Sequence, residues 1–325
     1  MDDYDVAWWN VENLFDEENS PRRSERLARV IKDDITGWTP RLRDLKIERL
    51  ASVIAQMKDG AGPDLLGVCE VENLFVLERL AAAVHHRLPG RRYAIVHADT
   101  GDARGIDVAF LYDPALFEVP DGQVFFHVVM RRNATREIVQ VNFRTRRGRT
   151  WAVFGNHWPS RSGGAAESAG YRHIAGETLS YFHQRTLEEH GPDTPVLAMG
   201  DFNDEPFDTS LVVHALSTRQ RRRVLEADTP RLWNLMWPQM GVPDGTFYFN
   251  NEPNLLDQFI VNAPMARPRS PLRVHPESVR ILRFPGTFST GAYPAPVPFG
   301  GMGKKVNESG FSDHFPITLK VTESD

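Results

Sequence analysis

The stretch VLAMGDFND, residues 196–204, indicates most clearly how this chain folds. Its first four residues are apolar, which is typical of a buried β-strand, and Asp201 and Asn203 follow at the end of that strand. If the backbone stays extended, these two side chains lie on the same side, because alternate residues of a strand share a face. Their oxygens are ligands that Mg²⁺ accepts. The alternative is an Asx-turn that caps a helix beginning near Asp208.

Similar β-rich runs recur along the whole chain and alternate with helical patterns in its first half. Apolar residues at helical spacing start at Leu45, Leu74 and Tyr171, whereas residues 123–154 contain strand after strand, as in an antiparallel meander. This order predicts an α/β (α+β) protein, a sheet sandwich flanked by helices. The predicted strands are residues 5–9, 65–69, 93–97, 107–112, 124–129, 138–143, 151–155, 196–199, 257–261 and 316–321.

The length and composition suit one large catalytic domain over residues 1–325. Of the 325 residues, 41% are apolar and 25% are charged, which allows a substantial buried core. Two stretches are expected to be surface excursions. Residues 16–40 are polar and charged, and residues 263–310 are dense in Pro and Gly, which disfavour regular structure.

Charge and hydropathy exclude several other classes of protein. A formal net charge of −5 argues against holding nucleic acid by bulk electrostatics alone. The single cysteine, Cys69, lies in an apolar run, where a buried thiol is expected rather than redox chemistry. No apolar stretch reaches the roughly 20 residues that cross a bilayer, so no membrane partner is expected. Without a signal-like N-terminus the protein is predicted to be cytoplasmic, or secreted if a signal peptide has been removed, and no obligate protein partner is inferred.

Two further polar motifs stand at the ends of predicted strands. In GVCEVEN, residues 67–73, Glu70 ends an apolar run, where a carboxylate is costly unless it is paired or bound to metal. Glu72 and Asn73 are expected to start the next helix. In GNHWPSR, residues 155–161, His157 can protonate or bind a phosphoryl group, and Arg161 can grip phosphate. Trp158 of the same motif could stack on a base, although a plain core aromatic is the simpler interpretation.

The two ends of the chain carry motifs of the same kind. FSDHFPI, residues 311–317, places Asp313 and His314 before a β-like segment. Adjacent residues of a strand point to opposite faces, so Asp313 and His314 can reach one site only if the chain bends between Ser312 and Pro316. A carboxylate suits a metal, and an imidazole suits proton transfer at neutral pH. AWWNVENLF, residues 7–15, puts Asn10 at the end of the first strand. Each motif alone is weak, but polar motifs at five strand ends are poorly explained by coincidence.

In order and content, these motifs resemble the endonuclease/exonuclease/phosphatase superfamily. The resemblance covers nearly the whole chain and rests on WNVENLF, EVEN, NHWPSR, GDFND, LDQFIV and SDHFP. It implies a four-layer sandwich, in which two mixed β-sheets pack face to face with helices on the outer faces. It also implies an active site where strand ends converge, and a divalent ion, Mg²⁺ or Mn²⁺, with Ca²⁺ as a further option.

The resemblance also implies a role for each residue at the site. Glu70 would bind the metal, Asn10 would support it and Asp313 would complete it. The other roles concern water and the phosphoryl group. Asp201 and Asn203 would orient the attacking water. His314 would act as general base or stabilise the phosphate, and Asp257 of LDQFIV would orient His314. His157 would stabilise the phosphorane or assist the leaving group. Asp257 could instead pair with a surface arginine. In RGIDVAFLYD, Arg104 and Asp107 match a substrate-contacting position only loosely.

These features predict a metal-dependent hydrolase of phosphate esters. The preferred hypothesis is a nuclease or phosphodiesterase that hydrolyses DNA through in-line attack by water. A phosphatase of small-molecule or lipid phosphate esters is the alternative, and a non-catalytic binding protein on the same fold is a third. Three basic clusters could track a nucleic-acid backbone or could simply be solvated: Arg22, Arg23 and Arg26; residues 144–149; and residues 219–223.

Overall fold

The fold is described from a computed structural model, which covers residues 1–325 except 101–103, 130–135, 162–163, 242–243, 292 and 302. The β-strands are β1 (Asp2–Leu14), β2 (Leu65–Val71), β3 (Ala94–Val96), β4 (Asp107–Tyr112), β5 (Phe117–Glu118), β6 (Val124–His127), β7 (Ile138–Thr145), β8 (Thr150–His157), β9 (Val196–Asp201), β10 (Ser217–Thr218), β11 (Leu232–Asn234), β12 (Phe247–Phe249), β13 (Glu252–Asn254), β14 (Asp257–Val261), β15 (Leu272–Ile281) and β16 (Ile317–Glu323).

The α-helices are α1 (Glu25–Ile31), α2 (Pro40–Ile54), α3 (Met57–Gly60), α4 (Leu74–Arg87), α5 (Ala165–His190), α6 (Arg221–Leu225) and α7 (Ala263–Ala266). Side-chain caps fix several helix starts. Asn73 is the N-cap of α4 and its side chain accepts a hydrogen bond from the Val76 amide, as predicted for the EVEN motif. No helix in the described ranges has both the length and the apolar character that crossing a membrane requires.

Two large mixed sheets form the centre of the molecule. The first has six strands in the order β15-β16-β1-β2-β4-β3, and the second has eight, seven of them in the order β10-β11-β14-β9-β8-β7-β5, with β6 also paired to β7. Each sheet has a parallel pair at its centre, β1 with β2 and β8 with β9, and antiparallel strands next to it. At the edge of the second sheet, β10 and β11 are also parallel.

Alternation along the strands explains why the sheets stack in four layers. In β1, Val6 and Trp8 point into the apolar layer between the sheets, whereas Ala7 and Trp9 point outward to the layer that α2 and α4 cover. On the outer face of the second sheet, α5 contributes Ala175 and Leu179 to a third apolar cluster. The predicted sandwich of two packed sheets with outer helices is confirmed.

All ten predicted strands are present, as are the three predicted helices and the antiparallel β6-β7-β8 meander. The prediction of a loop for residues 263–310 is wrong in part, because β15 forms the edge of the first sheet within it. Pro276 interrupts the strand pattern in the sequence, and the pairing of β15 with β16 shifts register between His275 and Arg280. An edge strand tolerates both, since one side of its ladder is unpaired.

The two predicted surface excursions also pack against each other. Ile31, Ile35 and Trp38 from the first are buried with Phe299 from the second. The rings of Trp38 and Phe299 meet edge to face at 5.8 Å. These stretches therefore form a small apolar cluster of their own rather than simple surface loops.

Candidate active site

Three polar residues stand side by side at one end of the second sheet. The β-ladder pairs His157, the last residue of β8, with Asp201, the last residue of β9, and pairs Asp201 with Asp257, the first residue of β14. Partners in register project from the same face of a sheet. All three face the first sheet and are almost fully buried. Strand pairing thus brings together three motifs that are up to 100 residues apart.

His314 completes this row from the loop before β16. Its Nδ1 lies 2.7 Å from Asp257 Oδ2, and the other Asp257 oxygen accepts a hydrogen bond from Trp8 Nε1 at 3.1 Å. The backbone is held as well, since Trp9 Nε1 donates to the His314 carbonyl at 2.8 Å. The imidazole is thereby fixed, with Nε2 turned toward Asp201 at 3.9 Å. This is the arrangement predicted for Asp257 as an orienting partner, and it is not a pair with a surface arginine.

Asp201 uses its two oxygens differently. Oδ2 accepts a hydrogen bond from Asn10 Nδ2 at 3.1 Å and lies 3.8 Å from His157 Nε2. Oδ1 accepts from the Asn203 amide at 2.9 Å, so the Asx-turn considered for this motif is present. Asn203 has a positive φ of 51° and its side chain donates to the Trp158 carbonyl. The extended backbone that would align Asn203 with Asp201 is therefore not present.

Glu70 lies opposite this row, on the first sheet. It occupies a register shift of β2 and has a φ of +65°, a strained value for a side chain of this size. One carboxylate oxygen accepts from the Asn13 amide at 2.9 Å, and the other lies 3.5 Å from His157 Nε2. The bulge therefore turns Glu70 out of the regular strand pattern and toward the second sheet.

Strained backbone is concentrated at this site. In the part of the chain that the structure describes, nine non-glycine residues have positive φ, and four of them are Glu12, Asn13, Glu70 and Asn203. Such conformations persist only where their surroundings hold them, and they gather at functional sites.

Two residues of this region were not anticipated from the sequence. Glu12 is 1% exposed, and its carboxylate accepts hydrogen bonds from the Phe299 and Gly300 amides. Lys46 is fully buried beside it, with Nζ 3.9 Å from Glu12 Oε2. The signal available was the one used for Glu70, a carboxylate inside an otherwise apolar strand. Both charges act on Asp313, whose carboxylate lies 3.8 Å from Lys304.

The electrostatics of the site favour a protonated His314. Burial works to lower its pKa, but the charge and hydrogen bond of Asp257, together with the charges of Asp201 and Asp313, raise the pKa to about 10. Burial raises the pKa of Asp201 to about 6 despite the opposing charge of His314. The imidazolium is therefore the dominant form of His314 at neutral pH in the metal-free protein.

His157 is the opposite case. Burial, assisted by the positive charges of Arg136 and Arg104, holds its pKa well below the ordinary value, so the ring is neutral. Burial also works to raise the pKa of Glu70, but the charges of Arg104, Arg136 and His314 outweigh it and lower the pKa. The two histidines thus differ in charge although both are buried. Arg136, which the sequence did not single out, donates to the Trp158 carbonyl at 3.1 Å.

Within this site, two sets of side chains could hold a divalent ion. Asp201, Asp257 and His314 offer atoms within 4.8 Å of one another, all buried. Both carboxylate oxygens of Asp257, however, are already hydrogen-bonded, one to Trp8 and the other to His314. The second group is Glu70 with Asp313. Burial raises the pKa of Asp313, and repulsion from Glu70 adds to that rise. Two carboxylates that repel each other fit a bound cation, which would relieve the repulsion.

The three predicted substrate-binding residues have different surroundings. Trp158 is 1% exposed and packs edge to face on Phe202, so its ring is a core aromatic with no face open to a base. Arg161 is partly exposed and binds the Asn203 carbonyl and the carboxylates of Asp204 and Asp208. The charge of Arg104 acts on both Glu70 and His157, which places this side chain near the centre.

A cavity of about 570 Å³ opens beside Asn203. Its lining includes the apolar side chains of Phe247, Phe249 and Leu256 and the charged side chain of Arg161. The Phe247 ring lies 4.9 Å from the His314 ring. Phe247 therefore connects the lining of the cavity to the catalytic row.

Two of the three basic clusters lie at the far end of the sheets. Residues 144–149 span the end of β7 and the turn before β8, where Arg147 pairs with Asp2. His157 ends β8, roughly 20 Å away for a strand of this length. In the 219–223 cluster, Arg221 donates to the Ala266 carbonyl beyond β14, and Arg222 pairs with Glu226. The third cluster lies nearer, but its Arg23 is held in a buried ion pair with Glu72 at 2.7 Å.

Comparison with known families agrees with this geometry. The model of the endonuclease/exonuclease/phosphatase family matches residues 5–323. The chain belongs to this family. Members of the family are phosphoesterases, and the buried Asp201, Asp257 and His314 form the cluster typical of their active site. The chain is therefore a phosphoesterase of the endonuclease/exonuclease/phosphatase type.

Solved structures share the fold at low sequence identity. A family protein from Bacteroides thetaiotaomicron is 16% identical, with 100% of this chain and 99% of that chain covered and a TM-score of 0.55. A mannosyl-6-phosphatase from the same species is also 16% identical, with 98% and 99% covered and a TM-score of 0.55. A humanized Danio rerio TDP2 is 14% identical, with 98% and 99% covered and a TM-score of 0.59. No curated protein sequence matches significantly.

Proposed function

We propose that this family member is a phosphodiesterase that hydrolyses DNA, with a divalent ion held by Glu70 and Asp313 and supported by Asn10. The observation that carries the chemistry is the convergence of the His314–Asp257 pair, Asp201 and His157 on one point opposite Glu70. The ion, Mg²⁺ or Mn²⁺, would supply Lewis-acid stabilisation of charge on the phosphoryl oxygens.

Each side chain then has a role set by its charge. Asp201, with a pKa of about 6, is ionised at neutral pH, orients the attacking water through Oδ2 and takes a proton from it as the water oxygen bonds to phosphorus. His314 is protonated and stabilises the phosphoryl charge, which favours this role over that of general base. Neutral His157 donates a hydrogen bond from Nε2 to the leaving oxygen as its bond to phosphorus breaks.

The cavity beside the catalytic row supports the choice of DNA. A flat base can lie against Phe247 and Phe249, and Arg161 and Asn203 supply polar contacts opposite. Stacking on aromatic side chains works for every base, which suits a substrate bound without sequence preference. Arg104 would contact the phosphate next to Glu70.

A phosphatase of small phosphate esters is the second candidate, and one observation favours it. Two of the basic clusters that could track a DNA backbone lie at the far end of the sheets. A solved structure of similar fold is a mannosyl-6-phosphatase, which supports a sugar monoester as an alternative substrate. Lipid phosphate esters rank below these two.

The experiment is hydrolysis of supercoiled plasmid, a short single-stranded oligonucleotide, bis-p-nitrophenyl phosphate and a sugar phosphate monoester, each with EDTA, Mg²⁺ or Mn²⁺. Metal-dependent cleavage of plasmid or oligonucleotide is expected. The variant Phe249→Ala should weaken cleavage of the oligonucleotide but leave turnover of the small diester nearly unchanged, because only the oligonucleotide has bases to stack. Turnover of the monoester alone would overturn the nuclease proposal in favour of the second candidate.

A further inference from the structure

A second cluster of metal-ligand side chains lies outside the active site, between β3 and β4. His97 follows β3, Asp107 begins β4, and Asp99 lies in the connection between them. One donor atom from each residue lies within 4.8 Å of the other two. None of the catalytic roles assigned above uses these side chains. We propose that His97, Asp99 and Asp107 bind a Zn²⁺ ion at this place.

His97 provides the observation that points to a ligand. Its side chain is 3% exposed, and its Nε2 has no hydrogen-bond partner among the described residues. The nearest carboxylate oxygen, Asp107 Oδ2, lies 3.4 Å away, on a side chain that is 2% exposed. A buried polar atom without a partner is rare in folded proteins, and a bound ion is one of its usual causes.

The spacing of the donor atoms suits zinc. Two atoms that each lie about 2.1 Å from a tetrahedral ion are roughly 3.4 Å apart. His97 Nε2 and Asp107 Oδ2 have this separation. One imidazole nitrogen with carboxylate oxygens is also a donor set that zinc accepts, and a water molecule can fill the fourth position.

Asp107 is already oriented for this role. Its Oδ1 accepts hydrogen bonds from the amide and hydroxyl groups of Thr100, at 3.1 and 2.5 Å. Oδ2 is left facing His97. Hydrogen bonds of this kind fix the orientation of ligating carboxylates in metal sites.

The cluster has an opening to solvent. A cavity of about 180 Å³ is lined by Asp99, Thr100 and Asp107 on one side. On the other side it is lined by the arginines at positions 22, 23 and 26, of which Arg23 is held by Glu72. The competing explanation is that no ion binds and that the positive charge of these arginines alone neutralises Asp99 and Asp107. A measurement of zinc binding distinguishes the two explanations.

A bound ion would have a structural consequence for the active site. Asp99 and Asp107 stand on either side of Arg104, and Asp107 pairs across the sheet with Val71, the residue after Glu70. An ion shared by the two aspartates would join the chain on both sides of Arg104 and lower the entropy lost when Arg104 is positioned. This consequence rests on the proposed function, whereas the zinc site itself does not.

The test is zinc binding by the full chain, measured by equilibrium dialysis of chelator-treated protein against buffered Zn²⁺ alone. We expect His97→Ala and Asp99→Asn each to weaken one zinc equivalent by about tenfold or more relative to the unaltered chain. Asp99 is exposed, so its variant keeps the fold even if the His97 variant does not.

His183→Ala is the matched control. His183 is also buried with an unpartnered Nε2, but it belongs to neither candidate metal cluster of the described residues. It should keep every zinc equivalent of the unaltered chain. Unchanged zinc stoichiometry and affinity in Asp99→Asn would overturn the proposal and leave arginine charge as the explanation. Because no substrate is used, the result is independent of whether the chain cleaves DNA.

Discussion

The molecule contains two buried histidine–aspartate pairs at the same end of its sheets, His314 with Asp257 and His97 with Asp107. In the first, Nδ1 lies 2.7 Å from the carboxylate, and Trp8 holds the second aspartate oxygen. In the second, Nε2 lies 3.4 Å from the carboxylate without a hydrogen bond. An aspartate whose two oxygens are both hydrogen-bonded fixes the protonation and orientation of the imidazole beside it. In the pair without a hydrogen bond, the imidazole nitrogen and one carboxylate oxygen stay available to bind a ligand. The predictions below test this difference.

Replacing Glu70 or His314, in the active site that contains the first pair, should have the largest effect on turnover. Glu70→Ala and His314→Ala are each expected to lower kcat/KM for bis-p-nitrophenyl phosphate by about 10³-fold or more, because a metal ligand or a charge-stabilising group is lost. Far-ultraviolet circular dichroism checks that the fold is kept. His183→Asn, a buried histidine away from the site, serves as control. Near-normal turnover in either active-site variant would contradict the assignment.

Removing the charge of the first aspartate should have a smaller and more specific effect. Asp257→Asn is expected to lower kcat by about 10²-fold and to bring the pKa of His314 down from about 10, since Asp257 is the main cause that raises it. NMR titration of the metal-free protein measures that pKa. Asp107→Asn should leave the pKa of His314 in place. If both variants shift it alike, the two pairs are not independent.

The raised pKa of His314 also predicts a pH dependence of stability. The folded state binds this proton more tightly than the unfolded chain, whose histidine pKa is 6.5. The stabilisation is therefore complete below about pH 6.5 and is lost as the pH rises through 10. Asp201 titrates lower, near 6. Burial raises the pKa of the Cys69 thiol and lowers that of Lys46, so both also contribute to the pH dependence, and comparison with a variant that lacks His314 isolates its share.

Thermal melting in EDTA measures this effect. The Tm of the unaltered chain should fall between pH 7 and 10 by more than the Tm of His314→Gln does. Parallel pH profiles for the two proteins would show that the aspartates around His314 do not stabilise its charge in the folded state.

The smallest effect is expected from the residue behind the first pair. Trp8→Phe removes the hydrogen bond from Nε1 to Asp257 Oδ1 while keeping an aromatic ring in the core. A net loss of about 1 kcal/mol of stability is expected, together with a severalfold decrease in kcat. Urea unfolding and steady-state kinetics measure the two. A decrease in kcat as large as that of Asp257→Asn would mean that Trp8, rather than the carboxylate, controls the histidine.

Much of the fold followed from local pattern. Strands such as residues 107–112 and 257–261 were bounded correctly, because apolar runs between turn residues are a local property. The strand β15 was missed, because an edge position permits a proline that a sequence pattern reads as a break. The small cluster around Trp38 and Phe299 joins stretches more than 250 residues apart, which no local pattern reveals.

The sequence by itself determined which chemistry-bearing side chains stand at strand ends, and the order of its motifs pointed to the family. Only the tertiary structure decided what those side chains face. The ladder that aligns His157, Asp201 and Asp257, the bulge that turns Glu70, and the burial that separates the charges of the two active-site histidines depend on contacts between distant segments. Pairing partners, burial and local field are properties of the packed chain, so they enter only when the two sheets come together.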